Sequence, residues 1–469
     1  MYSKVEYLQV EAGLKAIEIK ITAQPDDAEK AKRPAFINIY IYDSEEKLRI
    51  QALYRGEELV CHVGETSASE GCFKGAITEG NWRVITLSEN SDYTLNYELV
   101  SMKEEVHDIK ESSEQKNEQE QGEESDGIRW YGGDFHTHTR LSDGSLRLDE
   151  VLEVMQKNGL DFVFLTDHNM MPSHLEGYKG IFKGLELTFA SGHMNIHGIS
   201  GGVLEKSSRV SHFIEKVERG EAKIEDLMNH IKGLNRSINH PFMKPWHYSH
   251  AELPLSRINT LEIMCDPTWK TAPETNEKAL RFLHFLNKKG HRIVGIGGSD
   301  SHLPYGEAYK WASTPSWYGD PTTYVLADVC DEACIIEAVQ KGRVYISRGP
   351  KFEVLINKGT YLPGDYLLED NLTYQIKAVE AVKLLYVDLV INSKLEDRKI
   401  RKEIAPYETI AFKVDLKSGD RCVSIEVRDE KEQLVAFINP VYRRKKVSVF
   451  TTWGEAVAAF EVEEGVQHD

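Results

Sequence analysis

Apolar and polar positions alternate through the first hundred residues. The runs LKAIEIKITA, FINIYIYD, NWRVITLS and YTLNYELV place every second side chain on one apolar face, with Pro, Asp, Asn and Gly between them. A period of two marks half-buried strands, so residues 1–102 are expected to form an N-terminal β-sandwich-like domain. The alternation returns beyond residue 349 in KFEVLINKG, LTYQIKAVEA, LLYVDLVINS, ETIAFKVDL, CVSIEVRDE and LVAFINPVY. A second sandwich of roughly seven strands is expected over 349–445, followed by a tail over 446–469.

Between these stretches, over 128–348, the period changes from segment to segment. IRWYGGDF leads into LDEVLEVMQKNG, whose Leu148, Val151, Leu152 and Met155 recur at helical spacing and whose Gly159 suits a helix C-terminus. DFVFLTD follows as a short buried strand. KIEDLMNHIKGLN and PETNEKALRFLHFLNKKG read as helices, and INTLEIM and HRIVGIGGSD as strands. Strand–helix alternation over this length predicts an α/β domain built on a parallel sheet, as a barrel or an open sheet.

The formal charge of −18 argues against a nucleic-acid backbone as partner. Its distribution matters more than its size. Residues 103–126 hold ten acids and three bases, so seven of the eighteen net charges sit in one segment. That segment has too little apolar surface to offset its ordering entropy, and 103–127 is expected to be a disordered acidic linker. The rest of the chain is only moderately acidic. No apolar run approaches eighteen residues, so no membrane span is expected. The N-terminus lacks a secretory pattern, and the six cysteines form no CxxC pair, which points to a reducing, cytoplasmic setting.

Fourteen of the seventeen histidines lie between 136 and 302, and their positions are informative. His136 and His138 follow the first strand of the middle region, Asp167 and His168 the second. Glu186 sits in GLELTF, His193 and His197 in SGHMNIHG, His240 in NHP, Glu262 in TLEIM, and Asp300 and His302 in GSDSH. Nearly every predicted strand carries an acid or imidazole to its C-terminal end, the end that bears the active site in α/β barrels. Residues two apart in an extended segment point the same way, so His136/His138 and Asp300/His302 each aim two donors at one cavity. Any one motif alone reads as a turn; SDG at 142–144, which contains Asp143, is a common turn signal. Together they would be a costly set of buried, unpartnered polar groups unless they bind metal. Imidazole and carboxylate donors suit zinc, manganese or iron, and so many donors imply two or three divalent ions.

These motifs, HTHT with SDG, TDHN, GLE with GH, NHP and GSDSH, in this order and spacing, resemble the PHP (polymerase and histidinol phosphatase) superfamily of metal-dependent phosphoesterases. GLELTFASGHMNIHG and the strand-rich C-terminal extension are similar to its CehA/McbA-like branch, which includes carbamate and aryl-ester hydrolases. The resemblance covers residues 130–350 closely, 350–445 in outline and nothing before 128. It implies a distorted (β/α)7 barrel between the two sandwiches. By the same resemblance His136, His138, Glu186 and Asp300 would hold one ion, Glu186 with His193 and His240 a second, and Asp143, His168 and His302 a third. His197 is the alternative to His193. Asp167 and Glu262 would orient imidazoles.

The expected chemistry is hydrolysis by a metal-bridged hydroxide, most directly of a small phosphomonoester or phosphodiester, with Asp300 or His302 serving the leaving oxygen. Arg140, Lys244, Arg257 and Arg348 are the candidate cations for a phosphoryl group. The alternative substrate is a carbamate or aryl ester, for which Trp246, Tyr248, Trp269 and Trp311 would supply an aromatic pocket. A third reading, a non-catalytic metal-stabilised binding protein, would fit a site with missing donors, yet every motif position is filled. No phosphate-binding lysine loop or dinucleotide fingerprint is present.

Overall fold

The computed structural model describes residues 2–25, 36–88, 93–103, 128–172, 175, 177–199, 213–214, 216–217, 219–230, 235–443 and 449–465. All but the first residue of the expected linker 103–127 lies outside the described residues. The architecture is mixed α/β and rich in strands. No helix among the described residues is long and apolar enough to cross a membrane.

Seven strands precede the acidic segment: β1 (Tyr2–Val10), β2 (Ala16–Pro25), β3 (Ile37–Tyr42), β4 (Leu48–Tyr54), β5 (Leu59–Gly64), β6 (Gly80–Ser88) and β7 (Tyr93–Met102). They form two antiparallel sheets, ordered β1-β6-β3-β4 and β5-β2-β7. The alternation has the consequence expected of it: Ile17, Ile19 and Ile21 of β2 and Ile37, Ile39 and Ile41 of β3 meet in one core around Trp82. The outer surface of the four-stranded sheet is apolar as well. Tyr40, Tyr42, Leu48, Ile85 and Leu87 join the largest hydrophobic cluster of the molecule, together with Leu185, Leu187 and Met194 of the histidine-rich region.

That region contains β8 (Arg129–Thr137), α1 (Leu148–Asn158), β9 (Phe162–Leu165), β10 (Ile181–Phe189), β11 (Gly192–His197), α2 (Ile224–His230), β12 (Asn235–Ile238), β13 (Thr260–Cys265), α3 (Ala272–Lys288), β14 (Val294–Gly298), β15 (Thr322–Ala327), α4 (Glu332–Gln340) and β16 (Val344–Ser347). Helix α1 buries Val151, Val154 and Met155 and ends at Gly159, whose φ of +65° is the left-handed cap expected there. Pairing is parallel between β8 and β9, β9 and β10, β12 and β13, and β13 and β14. It departs from an all-parallel α/β pattern at β11, which forms a hairpin with β10 and runs antiparallel to both β10 and β12. After β14 the chain returns to β8. The Asp300 N–H donates to the His136 carbonyl at 2.8 Å, and Ser301 bridges Thr137 in parallel register. The strand ends that bear the motifs are thereby gathered on one side.

The remaining strands are β17 (Phe352–Ile356), β18 (Asn371–Ala378), β19 (Leu385–Ser393), β20 (Arg398–Ile404), β21 (Thr409–Asp415), β22 (Asp420–Arg428) and β23 (Leu434–Tyr442). β17, β18 and β21 form a separate sheet. The other four extend the large one, whose full order is β14-β13-β12-β11-β10-β9-β8-β15-β16-β23-β22-β19-β20. β16 pairs with β23, so thirteen strands run without a break across residue 349. The stretch named a tail carries helix α5 (Trp453–Glu463), capped by a Thr452–Glu455 box. Its Trp453, Ala456 and Phe460 lie in the same large core as Phe282 and Phe285 of α3.

Candidate metal centre

β8 delivers its two histidines through an irregularity. Its register with β9 shifts between Asp134 and Thr137, a bulge of the kind that re-aims side chains beside active sites. His136 Nε2 and His138 Nε2 then lie 3.2 Å and 3.0 Å from one oxygen, Asp300 Oδ1. Glu186, fully buried, places Oε1 at 3.3 Å from His136 Nε2 and Oε2 at 3.5 Å from His138 Nε2. Oε1 also meets His193 Nδ1 at 3.1 Å and His240 Nε2 at 3.6 Å, while Oε2 meets His168 Nδ1 at 2.7 Å. One carboxylate thus stands between five imidazoles. Asp143 Oδ1 collects the rest, at 3.2 Å from His302 Nε2, 3.6 Å from His168 Nε2 and 3.9 Å from His138 Nδ1. All nine expected donors, His136, His138, Asp143, His168, Glu186, His193, His240, Asp300 and His302, are brought into one cluster.

The residues fit divalent ions. Nitrogen and oxygen donors held about 2.0–2.2 Å from a shared ion at tetrahedral angles are separated by roughly 3.3–3.6 Å; four of these pairs lie in that range and five of the other six are shorter. His136 Nε2 and both ring nitrogens of His138 are buried with no hydrogen-bond partner among the described residues. Such orphaned atoms are costly unless an ion engages them.

Charge is balanced within the cluster. Burial alone would keep the imidazoles neutral, yet Asp143 and Glu186 raise His168 to about 9, and Asp143 and Asp300 raise His302 to about 10. His136 is likewise raised, against its burial, by Asp300, Glu262 and Glu186. Burial and the neighbouring His302 and His168 push His138 down to about 3. The same imidazoles, overcoming burial, hold Glu186, Asp143 and Asp300 below the usual carboxylate range.

Surrounding residues fix these donors. Glu262 Oε1 lies 2.8 Å from His136 Nδ1 and Oε2 accepts the His240 N–H at 2.9 Å, so it orients His136 as expected. Asp167 differs from expectation, because among the described residues its carboxylate bonds no imidazole. Its carboxylate accepts from the N–H and hydroxyl of both Thr139 and Ser142, pinning the turn that carries Asp143. Three contributors escaped the sequence reading. Asp134 accepts from the N–H groups of His136, Ser299 and Gly319 and ties β8 to the end of β14. Asn239 donates to Glu186 Oε1 at 2.7 Å. Cys265, whose thiol burial keeps protonated, points its sulfur at Asp300 Oδ2, 3.8 Å away.

His193 and His197 separate cleanly. His197 is fully buried, with Nε2 at 2.7 Å from the Phe135 carbonyl and Nδ1 accepting from Asn235 at 3.0 Å. Both nitrogens are used within the protein, which leaves His193 at Glu186. Four non-glycine residues at the surrounding strand ends, Asn169, His240, Asp266 and Asp300, hold left-handed φ values between 27° and 55°. Strain of this kind persists only where the surroundings enforce it. Gly298 is required for close approach, since a Cβ there would stand 2.3 Å from His136 Cβ.

Of the candidate cations, Arg348 is committed to a bidentate pair with Asp320 at 2.7 Å and 2.8 Å, and Arg257 donates to Asn229. Arg140 and Lys244 are exposed. Among the candidate aromatics, Tyr248 is buried against Trp453, whereas Trp246, Trp269 and Trp311 cluster with Tyr309.

No family model and no curated protein matches the chain. Among solved structures, a two-domain protein from Bacteroides vulgatus containing a predicted PHP-like metal-dependent phosphoesterase is similar at 17% identity, over 68% of this chain and 96% of that one, with a TM-score of 0.37. An amidohydrolase from Chromobacterium violaceum is similar at 16% identity, over 38% of this chain and 92% of that one, with a TM-score of 0.25.

Proposed function

We propose that the chain is a metal-dependent hydrolase of the PHP type, acting on a small phosphomonoester or phosphodiester. One observation carries this reading: nine imidazole and carboxylate side chains from separate strand ends share a single cluster, with Glu186 facing five imidazoles through its two oxygens. In this reading His136, His138, Glu186 and Asp300 hold one ion, Glu186, His193 and His240 a second, and Asp143, His168 and His302 a third. Bound ions would supply Lewis acidity, ionising water near neutral pH and stabilising the oxyanion of an in-line displacement. We also read residues 1–102 and 349–445 as sandwiches flanking a barrel over 128–348, in the manner of the CehA/McbA-like branch.

The chain's own residues divide the remaining work. Glu262 and Asn239 hold the side chains of His136 and Glu186, and Asp134 holds the His136 backbone, so the donors are set before substrate arrives. Asp300 and His302 lie on the more open side, with side chains 15% and 25% exposed. They are the groups placed to exchange a proton with a leaving oxygen. His302 Nδ1 is bonded to the Asp300 carbonyl at 2.8 Å, so its Nε2 serves either the third ion or the leaving oxygen, not both at once. The test is hydrolysis of aryl phosphate mono- and diesters by protein loaded with manganese or zinc. Turnover abolished in Asp300→Asn is expected; no turnover on either ester class rejects the proposal.

A second reading, hydrolysis of a carbamate or aryl ester at the same centre, is favoured by the aromatic cluster and by the engagement of Arg257 and Arg348 elsewhere. Hydrolysis of a naphthyl carbamate, with aryl phosphates untouched, would select it.

A further inference from the structure

We propose that Trp246, Trp269, Tyr309 and Trp311 form a subsite that takes a planar aromatic group of the ester substrate beside the metal centre. The inference rests on the hydrolytic reading for the word substrate, but applies equally to a phosphoryl or an acyl centre.

The rings come from three loops, each leaving the cluster's own strand ends. Trp246 lies six residues beyond His240, Trp269 four beyond the end of β13, and Tyr309 and Trp311 shortly after His302. Trp269 is the hub. Its ring centroid stands 5.5 Å from Trp246, 5.1 Å from Tyr309 and 4.8 Å from Trp311, edge to face in each case, while Tyr309 and Trp311 stack at 5.2 Å. Trp246 and Trp311 remain exposed, at 37% and 49%. Rings that leave this much indole surface open, a few residues from a metal-type cluster, offer faces on which a planar group stacks.

Asp266 joins the rings to the centre. Its N–H bonds the Gly298 carbonyl at the end of β14, and its carbonyl accepts the Trp269 N–H. Its carboxylate accepts the Tyr309 hydroxyl and the Thr268 hydroxyl, both at 3.0 Å. The neighbouring residue Cys265 reaches Asp300. The ring wall is therefore held in register with Asp300 through two consecutive residues. The chemistry also narrows the ligand. Both Asp266 oxygens are engaged within the protein, so the wall presents ring faces and favours an aromatic group over a hydroxyl-rich one.

The test uses the full-length, metal-loaded protein and two matched pairs, 1-naphthyl and cyclohexyl phosphate, and 1-naphthyl and cyclohexyl N-methylcarbamate. Binding is read by quenching of tryptophan fluorescence and by calorimetry, independently of turnover. In whichever ester series binds, the naphthyl member is expected to bind about tenfold more tightly than the cyclohexyl one. Trp311→Ala and Trp246→Ala should each erase most of that preference and leave metal content unchanged. Preference without hydrolysis of either series retains the subsite and rejects the hydrolase. Equal affinities, binding by neither member, or preference that survives in both variants overturns the subsite. A change of oligomeric state in the variants without aryl selectivity also overturns it and assigns the rings to a contact between chains.

Discussion

Gln51 and Met171 pair across 120 residues of sequence as though they were neighbouring peptides: the Gln51 carboxamide donates to the Met171 carbonyl and accepts its N–H at 3.2 Å. The Tyr40 hydroxyl donates to the Asn169 carbonyl at 2.9 Å, and Arg55 donates to the Gly144 carbonyl at 3.1 Å. The four-stranded N-terminal sheet thereby grips both loops that present His168 and Asp143. Gln51→Ala removes both of its bonds to the buried Met171 backbone, at a cost of about 1–3 kcal/mol. A lower unfolding temperature is expected, together with a metal content below that of the unaltered protein. Elemental analysis of the folded variant at 20 °C would show whether the loops still hold their ion.

Glu262 bonds the His136 ring and the His240 N–H, so its effect on the centre is expected to pass through these residues. Glu262→Gln keeps one bond to the ring and Glu262→Ala removes both of its contacts. Metal affinity should fall roughly 10–100-fold in the alanine variant, with partial retention in the glutamine variant. Competition with a chromophoric chelator measures it.

His193 and His197 should behave as different kinds of residue. His193→Ala removes a donor from Glu186 and should lower metal affinity with little change in unfolding temperature. His197→Ala strips partners from the Phe135 carbonyl and Asn235 in the core, so stability should drop by about 1–3 kcal/mol while metal content holds. Paired melting curves and metal analyses separate the two.

Proton release should accompany metal binding. His168 and His302, raised to about 9 and about 10, carry protons at pH 7 in the metal-free protein and must lose them to act as ligands. Affinity should therefore climb with pH up to that range. Calorimetry in buffers of different ionisation enthalpy counts the protons. For the metal-free fold the sign reverses. Groups whose folded values are raised stabilise fully below their unfolded value near 6.5, and that contribution disappears as pH rises toward 10. Chelator-treated protein should melt progressively lower across this window, and metal-loaded protein should not.

Gly298→Ala places a methyl group 2.3 Å from His136 Cβ and 3.0 Å from Glu262 Oε1. His136 has no room to retreat, so loss of metal binding, or of soluble protein, is expected. Expression followed by elemental analysis reads either outcome.

The strand ends were legible because donors two apart on an extended chain share a face, and that rule found His136, His138, Asp300 and His302. It could not separate His193 from His197, which have the same parity in β11. Direction along the strand decides between them. β11 runs against its neighbours, so its beginning, and not its end, meets the ends of β10 and β12. An expectation of uniformly parallel strands conceals this. Asp134 and Asn239 were missed because their partners, Ser299, Gly319 and Glu186, lie far away in sequence and leave no local pattern. Asp167 was misread for the converse reason: adjacency to His168 resembles orientation, but side chains of consecutive residues diverge. The grip of Tyr40 and Gln51 on the histidine loops leaves no trace in periodicity at all.

The pairing of β16 with β23 makes the C-terminal third difficult to remove. Truncation after residue 349 would strip the partner from β16 and uncover a run of unsatisfied amides and carbonyls flanked by apolar side chains, the kind of bare border along which chains stick to one another. It would also take away Trp453 and Phe460, which plug the base beneath α3. A shortened protein should accumulate as aggregate instead of as a smaller folded chain.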